Sequence, residues 1–277
     1  MASFKFQVQQ PVTVEALLKD QWQAGKKTIH FMRMAKSVTD ENGNSVEWNV
    51  PIETGTTLQF TIPDAQSTYK ENPQHLKVLY EDEHILAAHK PAGIATHPSA
   101  DTDSDTFMNI VFSYVKQQGG DYAEHIHRLD KGTSGVVLIA KHPIAKALFD
   151  RLIEQNELTR IYHAEVEGIV RRPRGTINRP IGKDRHHATR RRVSPTGQAA
   201  VTHFKVLERK EQSTLVEARL ETGRTHQIRV HLAYLGHPVV GDHLYGAQEL
   251  ENQDFLLTAS RLQFVHPFTN EQLTIEC

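Results

Sequence analysis

The chain has 277 residues, of which 38% are hydrophobic, and its 32 Lys and Arg nearly balance 33 Asp and Glu to give a formal net charge of −1. This balance excludes a strongly basic nucleic-acid tail and an acidic disordered chain, and the length suggests about two domains. The single cysteine, Cys277, excludes an internal disulfide framework, a cysteine-rich zinc site and an iron–sulfur cluster.

A first domain is predicted over residues 1–70. Apolar residues at helical spacing over 14–18 predict a helix, the Asn-Gly pair at 42–43 indicates a hairpin turn, and the alternation of TTLQFTI (56–62) predicts a strand. Residues 64–74 are polar and lack apolar periodicity, so we place a linker there. Seven Lys or Arg balance seven Asp or Glu in this domain, which should be small, electrically neutral and α+β.

A second domain is predicted over residues 71–277, and strands dominate it. Apolar or alternating runs predict strands at HILAAH (84–89), VVLIA (136–140), IYHAEVEG (161–168), VTHFKVLE (201–208) and STLVEARLE (213–221). Helices are predicted at 143–157 and at 226–235, the latter capped by Thr225 and with Leu235 facing inward. Because strands and helices do not alternate regularly, we expect an α+β fold with a mixed, largely antiparallel sheet and peripheral helices.

The first candidate site is HIHRLDKGTSG (125–135), directly before the predicted strand VVLIA. Arg128, Asp130 and Lys131 crowd a turn there, and loops held by rigid strands often carry catalytic groups. Asp130 is the reactive candidate. The alternative is that its carboxylate only hydrogen-bonds the backbone of its own turn.

The second candidate site is ETGRTHQIRVHLAYLGHP (221–238). Helical spacing places Arg229 at the edge of a buried stripe, where a guanidinium requires a carboxylate partner. Pairing with Asp130 would hold that aspartate ionised, because an adjacent arginine lowers the pKa of a carboxyl group. The alternative is that Arg229 only braces the helix surface.

Two further features suit a nucleic acid. Tyr162 lies on the apolar face of the strand 160–168, where it either belongs to the core or stacks on a nucleobase. The run RRPRGTINRPIGKDRHHATRRRV (171–193) holds nine Arg or Lys against Asp184, and its Pro and Gly residues predict a loop. Such a loop suits phosphates, the alternative being a merely solvated charged loop.

Several other functions are not supported. His163-Ala164-Glu165 matches half of a zinc deaminase motif whose cysteine half is missing, and the other histidines show no metal-ligand spacing. The phosphate-binding and nucleophile-elbow motifs are absent, so we expect no metal and no nucleotide cofactor. No signal-peptide pattern and no run of 18 apolar residues occurs, so we expect a cytoplasmic protein that does not enter a membrane.

Taken together, the motifs resemble those of a known family. His127-Arg128-Leu129-Asp130 followed by Thr133-Ser134-Gly135 resembles the signature of the RluA family of RNA pseudouridine synthases. The further motifs of this resemblance are KPAGIATHPS (90–99), RIYHAEVEG (160–168) and TGRTHQIRVHLAYLGHPVVGDHLYG (222–246). The first domain resembles the small S4-type RNA-binding domain often attached in this family.

The resemblance implies a role for individual residues. Asp130 matches the catalytic aspartate, Tyr162 the tyrosine that packs on the target base, and Arg229 the arginine that pairs with the aspartate. Arg128 matches the arginine that fills the gap left when the uridine flips out. Arg160 departs from the pattern, because a lysine is common there. Including these inferences, the predicted RNA-binding residues are His127, Arg128, Arg160, Arg171, Arg172, Arg174, Arg190, Arg191, Arg192 and Arg224.

The predicted function is therefore that of an RNA pseudouridine synthase without cofactor or metal. It would isomerise uridines of structured RNA, ribosomal or transfer RNA, by base flipping and an aspartate-dependent rearrangement. The sequence does not choose between attack by Asp130 and removal of a ribose proton. The alternatives are a catalytically silent RNA-binding factor that uses the same cleft, and a hydrolase acting on RNA or a nucleoside.

Overall fold

The structure is a computed structural model that describes residues 2–63, 65–99, 104–251 and 254–277. Its helices are α1 (Val14–Ala16), which continues into a π-helical turn (Leu17–Gln21), α2 (Lys26–Met34), α3 (Phe107–Gln117), α4 (Pro143–Glu154) and α5 (Gln227–Tyr234), with a 3-10 turn at His243–Tyr245. Within this part of the chain no helix is long and apolar enough to span a lipid bilayer.

The strands number fifteen among the described residues. They are β1 (Ala2–Gln7), β2 (Val38–Thr39), β3 (Thr57–Ile62), β4 (Val78–Glu81), β5 (Ile85–Lys90), β6 (Glu124–His125), β7 (Ser134–Ala140), β8 (Thr159–Glu167), β9 (Arg174–Asn178), β10 (Ile181–Lys183), β11 (Arg191–Val193), β12 (Val201–Arg209), β13 (Ser213–Leu220), β14 (Leu257–Val265) and β15 (Gln272–Glu276).

A ten-stranded sheet organises the larger part of the described chain. Its strand order is β4-β5-β7-β14-β8-β13-β12-β9, with β15 beside β14 and β6 beside β7. Among the described strands only β7 and β14 pair in parallel, so the predicted mixed, largely antiparallel sheet is confirmed. The parallel contact requires Gly135, whose φ is +115° and where a Cβ would lie 2.2 Å from the carbonyl oxygen of Ala259.

Residues 2–62 form a smaller sheet in the order β1-β3-β2, with the first helical segment packed on it. The apolar residues of 14–18 predicted to be helical are buried, and β3 alternates buried and partly buried residues as predicted. A turn occurs at 42–43, where Gly43 has a φ of +81°. The segment 65–77 contains neither helix nor strand, as a linker would, and the domain division at residue 70 stays a prediction.

Phe4 joins the two sheets through one continuous core. Its ring stacks on His142 at 4.2 Å between centroids and meets the edge of His84 at 5.0 Å. The ring of His84 in turn stacks on Phe268 at 3.8 Å, and its Nδ1 lies 3.0 Å from Nε2 of His142. His142 Nδ1 accepts the N–H of Ala145 in the first turn of α4. The N-terminal strand is therefore part of the core that supports the large sheet.

The basic run 171–193 is not the loop that was predicted. It forms β9, which pairs with β12 at the end of the large sheet, and the two-stranded ribbon of β10 and β11. Ile177 and Ile181 are buried in these strands, at 4% exposure each. These two apolar side chains hold the strands against the core. The surrounding arginines make the apolar pattern hard to recognise in the sequence.

Both predicted helices of the second domain occur, as α4 and α5, but the start and end of α5 differ from the prediction. His226, not Thr225, precedes α5, its φ is +58°, and it makes no side-chain cap. Leu235 is 40% exposed instead of facing inward, because α5 ends at Tyr234. No residue range was predicted for strands β1, β4, β6, β14 and β15 or for helices α2 and α3.

We expect Phe4→Ala to lower the free energy of unfolding by about 3–5 kcal/mol, since it empties a buried aromatic site. Urea denaturation measures this change. Phe31→Ala is the matched control, because Phe31 is 42% exposed on α2 and should change stability by about 0.5 kcal/mol or less. Equal, small effects of both substitutions would show that Phe4 does not join the two sheets.

Acid should weaken the same core. Burial lowers the pKa of His84 to about 4, so this ring is neutral when folded, whereas an unfolded histidine binds a proton below about pH 6.5. The free energy of unfolding should therefore fall as the pH drops from 6.5 to 4. Urea midpoints at pH 7, 6 and 5 should fall less steeply for His84→Gln than for the unaltered chain, and an identical slope would contradict the assignment.

Candidate active site

One cavity of about 560 Å³ brings together residues from distant parts of the chain. Its walls come from the turn before β7, the end of α4, strand β8 and the segment 220–229. The predicted site residues that line it are His127, Arg128, Asp130, Arg160, Tyr162, Arg224 and Arg229. The predicted catalytic residues therefore share one cavity.

The turn that carries Asp130 is fixed by buried hydrogen bonds. Thr96 Oγ1 donates to the carbonyl of Leu129 at 2.7 Å and accepts the N–H of the same residue at 3.1 Å. Lys90 is fully buried, and its ammonium donates to the carbonyl of Lys131 at 3.1 Å as well as to two carbonyls of the segment 91–94. These contacts hold the backbone on both sides of Asp130, so its carboxylate enters the cavity from a rigid base.

Arg229 is held between two carboxylates. Its Nε and NH2 donate to Asp242 at 2.6 and 2.8 Å, and its NH1 donates to Oδ2 of Asp130 at 3.2 Å. The rings of Phe255 and Tyr245 flank the guanidinium at 4.2 and 5.0 Å from their centroids. Burial lowers the pKa of Arg229, but the hydrogen bonds and charge of Asp242, with those of Asp130, outweigh burial and raise it. The guanidinium is therefore a permanent cation beside Asp130.

This geometry decides between the sequence-based alternatives for Asp130 and Arg229. The carboxylate of Asp130 binds Arg229, and no hydrogen bond joins it to its own turn among the described residues. The predicted pair is present, but the stronger partner of Arg229 is Asp242, which the sequence did not single out. Asp242 lies inside the motif 222–246, and its spacing of 13 residues from Arg229 carries no helical or strand period that could have predicted the pair.

Tyr162 and Arg160 project from the same face of β8. Tyr162 is 6% exposed and shares the buried face with Ala164, as predicted; burial raises the pKa of its hydroxyl, opposed by the charge of Arg160. Arg160 is also 6% exposed, and its Nε has no hydrogen-bond partner among the described residues. A Cβ at Gly223 would lie 2.8 Å from NH1 of Arg160, so glycine makes room for this side chain. A neutral phenol and a buried cation thus line the same wall.

Three other predicted RNA-binding residues differ in placement. Arg128 is exposed, with NH1 3.3 Å from Nε2 of His97, and Arg224 donates from Nε to the carbonyl of Ala199 at 3.0 Å. His127 is buried, and its Nε2 accepts the N–H of Leu138 at 3.2 Å. This contact fastens the turn to β7; His127 also lines the cavity, and RNA binding by it stays a prediction.

The arginines of the basic run lie outside the cavity wall and form two groups. Arg171, Arg172 and Arg174 are exposed at the edge of the sheet around β9. Arg190, Arg191 and Arg192 lie on or beside β11, where the N–H of Arg191 donates to the hydroxyl of Tyr245 and Arg190 pairs with Asp184 at 2.7 Å. The hydroxyl of Tyr245 connects the second group to His226 in the cavity wall, and no such contact connects the first group among the described residues. No cluster of three or more His, Cys, Asp or Glu suited to a metal occurs among the residues described.

Comparison with known proteins agrees with this site. Residues 84–234 match the RNA pseudouridylate synthase family, and residues 4–58 match the N-terminal domain of RluD ribosomal pseudouridine synthase. The chain belongs to the RNA pseudouridylate synthase family. The predicted resemblance is confirmed, and with it the predicted activity: this synthase is an isomerase that acts on RNA.

Relatives of the synthase extend over most of the chain. The uncharacterized RNA pseudouridine synthase YhcT of Bacillus subtilis is 45% identical over 268 residues, which are 94% of this chain and 87% of that protein. Ribosomal large subunit pseudouridine synthase D of Vibrio cholerae is 38% identical over 232 residues, 78% of this chain and 71% of that protein. The structure of human RNA pseudouridylate synthase domain containing 1 has a TM-score of 0.63 at 25% identity and covers 74% of this chain and 84% of that one.

We expect Asp242→Asn to lower the free energy of unfolding of the synthase by about 3 kcal/mol, because a buried cation loses its main counter-charge. The substitution should also slow pseudouridine formation about tenfold or more, since Arg229 is no longer held beside Asp130. Glu276→Gln is the control: that carboxylate is 57% exposed in its pair with Arg261, and its loss should cost about 1 kcal/mol or less. Equal effects of the two substitutions would contradict the assignment.

Proposed function

We propose that the synthase flips a uridine of ribosomal RNA into the cavity and isomerises it there, with Asp130 as the reacting carboxylate. The observation that carries this proposal is the meeting of Asp130, Tyr162 and Arg229 in one cavity of about 560 Å³. This volume lies in the range of about 300–1,000 Å³ typical of small-ligand pockets, so it holds one nucleoside.

Base flipping requires compensation for lost stacking, which is about a few kcal/mol. The ring of Tyr162 offers a face for the extruded base, and stacking on an aromatic ring is worth about 1–3 kcal/mol. Arg128 is exposed at the rim of the cavity, where it can occupy the position that the uridine leaves. Arg160 adds a buried cation to the cavity wall, which suits the polar edge of the base or a phosphate.

The carboxylates favour isomerisation over hydrolysis. Hydrolytic glycosidases generally need one carboxyl group as acid and a second as base or nucleophile. The carboxylate that shares Arg229 with Asp130 is Asp242, which is 1% exposed and has both oxygens bound to Arg229. Asp242 is therefore not free to activate water. The other carboxylates of the cavity wall are Glu154 and Glu221, and Glu221 is paired with His203.

The carboxylate of Asp130 can start the rearrangement by attacking the nucleoside or by removing a ribose proton. The N1–C1′ bond then breaks, C5 of the detached uracil bonds to C1′, and the carboxylate is released or the ribose proton returned. C5 loses its proton and N1 gains one, so the reaction is a net isomerisation.

We infer ribosomal RNA, and not transfer RNA, as the substrate class, and two names among the matches support this inference. The N-terminal residues match the RluD domain, and the Vibrio relative is named for the large ribosomal subunit. In this proposal the two arginine groups, around β9 and on β11, bind phosphates outside the cavity, and the N-terminal domain adds an S4-like RNA contact. A cytoplasmic location goes with such a substrate.

The test uses unmodified ribosomal RNA and transfer RNA transcripts, with pseudouridine detected by carbodiimide labelling and primer extension. The synthase should modify the ribosomal transcript, and Asp130→Asn should lower the rate by about 1,000-fold or more while the Kd for RNA changes about threefold or less. Glu276→Gln, far from the cavity wall, serves as the active control.

Retained conversion by Asp130→Asn would remove the aspartate from the mechanism. Modification of transfer RNA alone would overturn the ribosomal assignment while leaving the cavity chemistry in place. Release of free uracil would contradict isomerisation.

A further inference from the structure

His226 lines the cavity and has no part in the function described so far. It precedes α5 with a φ of +58°, in the left-handed region that non-glycine residues seldom adopt. Its side chain is 14% exposed. Strained backbone of this kind persists where the surroundings enforce it, and it concentrates at functional sites. The conformation turns the imidazole toward the catalytic carboxylate.

The hydrogen bonds of His226 indicate which nitrogen of its imidazole carries the proton. His226 Nδ1 lies 2.8 Å from the hydroxyl of Tyr245. That hydroxyl accepts the N–H of Arg191 at 3.0 Å, and we assign its own hydrogen as the donor to Nδ1. Nδ1 is then an acceptor, and the proton of the neutral ring is on Nε2.

The protonated nitrogen faces Asp130. Nε2 of His226 is 3.9 Å from Oδ2 of Asp130, the same oxygen that accepts from NH1 of Arg229 at 3.2 Å. The other oxygen, Oδ1, has no hydrogen-bond partner among the described residues. Two nitrogens thus face Oδ2, while Oδ1 has no partner in the described part of the chain and belongs to a side chain that is 24% exposed.

We propose that His226 is a positioning residue that, together with Arg229, holds Oδ2 of Asp130 and so presents Oδ1 as the oxygen that reacts with the uridine. This inference rests on the proposed function. The gap of 3.9 Å needs to close by about 1 Å to become a hydrogen bond, and catalytic hydrogen bonds are often long before substrate fills a site.

The charges around the imidazole agree with a neutral donor. Burial lowers the pKa of His226, and the charges of Arg229 and Arg191 act in the same direction, against those of Asp130 and Asp242. The net effect is a lowered pKa, so at neutral pH the ring donates a hydrogen bond without adding a positive charge.

The first test separates kcat from KM. His226→Ala should lower kcat for pseudouridine formation about 10- to 100-fold, with KM for the RNA changed about threefold or less, because the carboxylate loses a donor and the RNA loses no contact. His226→Gln places an amide N–H near the position of Nε2 and should recover kcat to within about fivefold of the unaltered synthase. His243→Ala, an exposed histidine in the neighbouring turn, is the matched control and should leave both constants unchanged.

A second measurement uses the unaltered synthase and Tyr245→Phe, so it does not require that the His226 variants fold. Nitrogen-15 NMR of the imidazole should show the proton on Nε2 in the unaltered synthase and a mixture of tautomers in Tyr245→Phe, which lacks the fixing hydroxyl. Tyr245→Phe should also lower kcat about three- to tenfold.

An unchanged kcat in His226→Ala, a His226→Gln variant as slow as His226→Ala, or a proton on Nδ1 would each overturn the inference. Failure of the proposed function would give a different result from failure of this inference, because the unaltered synthase itself would then form no pseudouridine in ribosomal RNA.

Discussion

The burial of the Arg229 guanidinium is the interaction on which the site depends. A cation that is 5% exposed needs counter-charge and hydrogen bonds, and Asp242 supplies both through two short contacts. With Nε and NH2 committed to Asp242, NH1 remains for Asp130. The carboxylate that we propose to be catalytic therefore meets a cation whose orientation is fixed by a third residue, Asp242. The buried pair of Arg229 and Asp242 therefore sets both the orientation of the Asp130 carboxylate and the positive charge beside it.

The fold supports the contacts among Asp130, Arg229 and Asp242 by attaching distant parts of the chain to one sheet. The turn with Asp130 is held against β7, and Gly135 allows β14 to lie directly beside that strand. Helix α5, which carries Arg229, is tied to the sheet by His231, whose ring bonds the hydroxyl of Thr202 and the carbonyl of Arg179. The last of these contacts reaches the basic run. Binding of RNA phosphates there would therefore act on a segment bonded to the helix of Arg229.

The sequence singles out the candidate reacting residues but not the residues that hold them in place. Asp130, Tyr162 and Arg229 are recognisable because their motifs are local and the strands between them have a clear period. Asp242 is not, because its partnership with Arg229 is set by a turn whose geometry no apolar pattern records. The strands inside the basic run were missed for a related reason. A few buried residues hold these strands in place, and only the packing of the whole fold decides which residues those are. His226 shows the same limit, since a left-handed backbone at a non-glycine residue has no sequence signature.

The most direct measurement is a crystal structure of the Asp130→Asn variant bound to a uridine-containing stem-loop of ribosomal RNA. We predict the target uracil out of its stack and against Tyr162, and Arg128 in the vacated position. The amide oxygen of residue 130 should accept from Arg229, and its amide nitrogen, which replaces Oδ1, should be the side-chain atom nearest the ribose. A target uridine that stays stacked in the RNA while the cavity is empty would contradict this prediction.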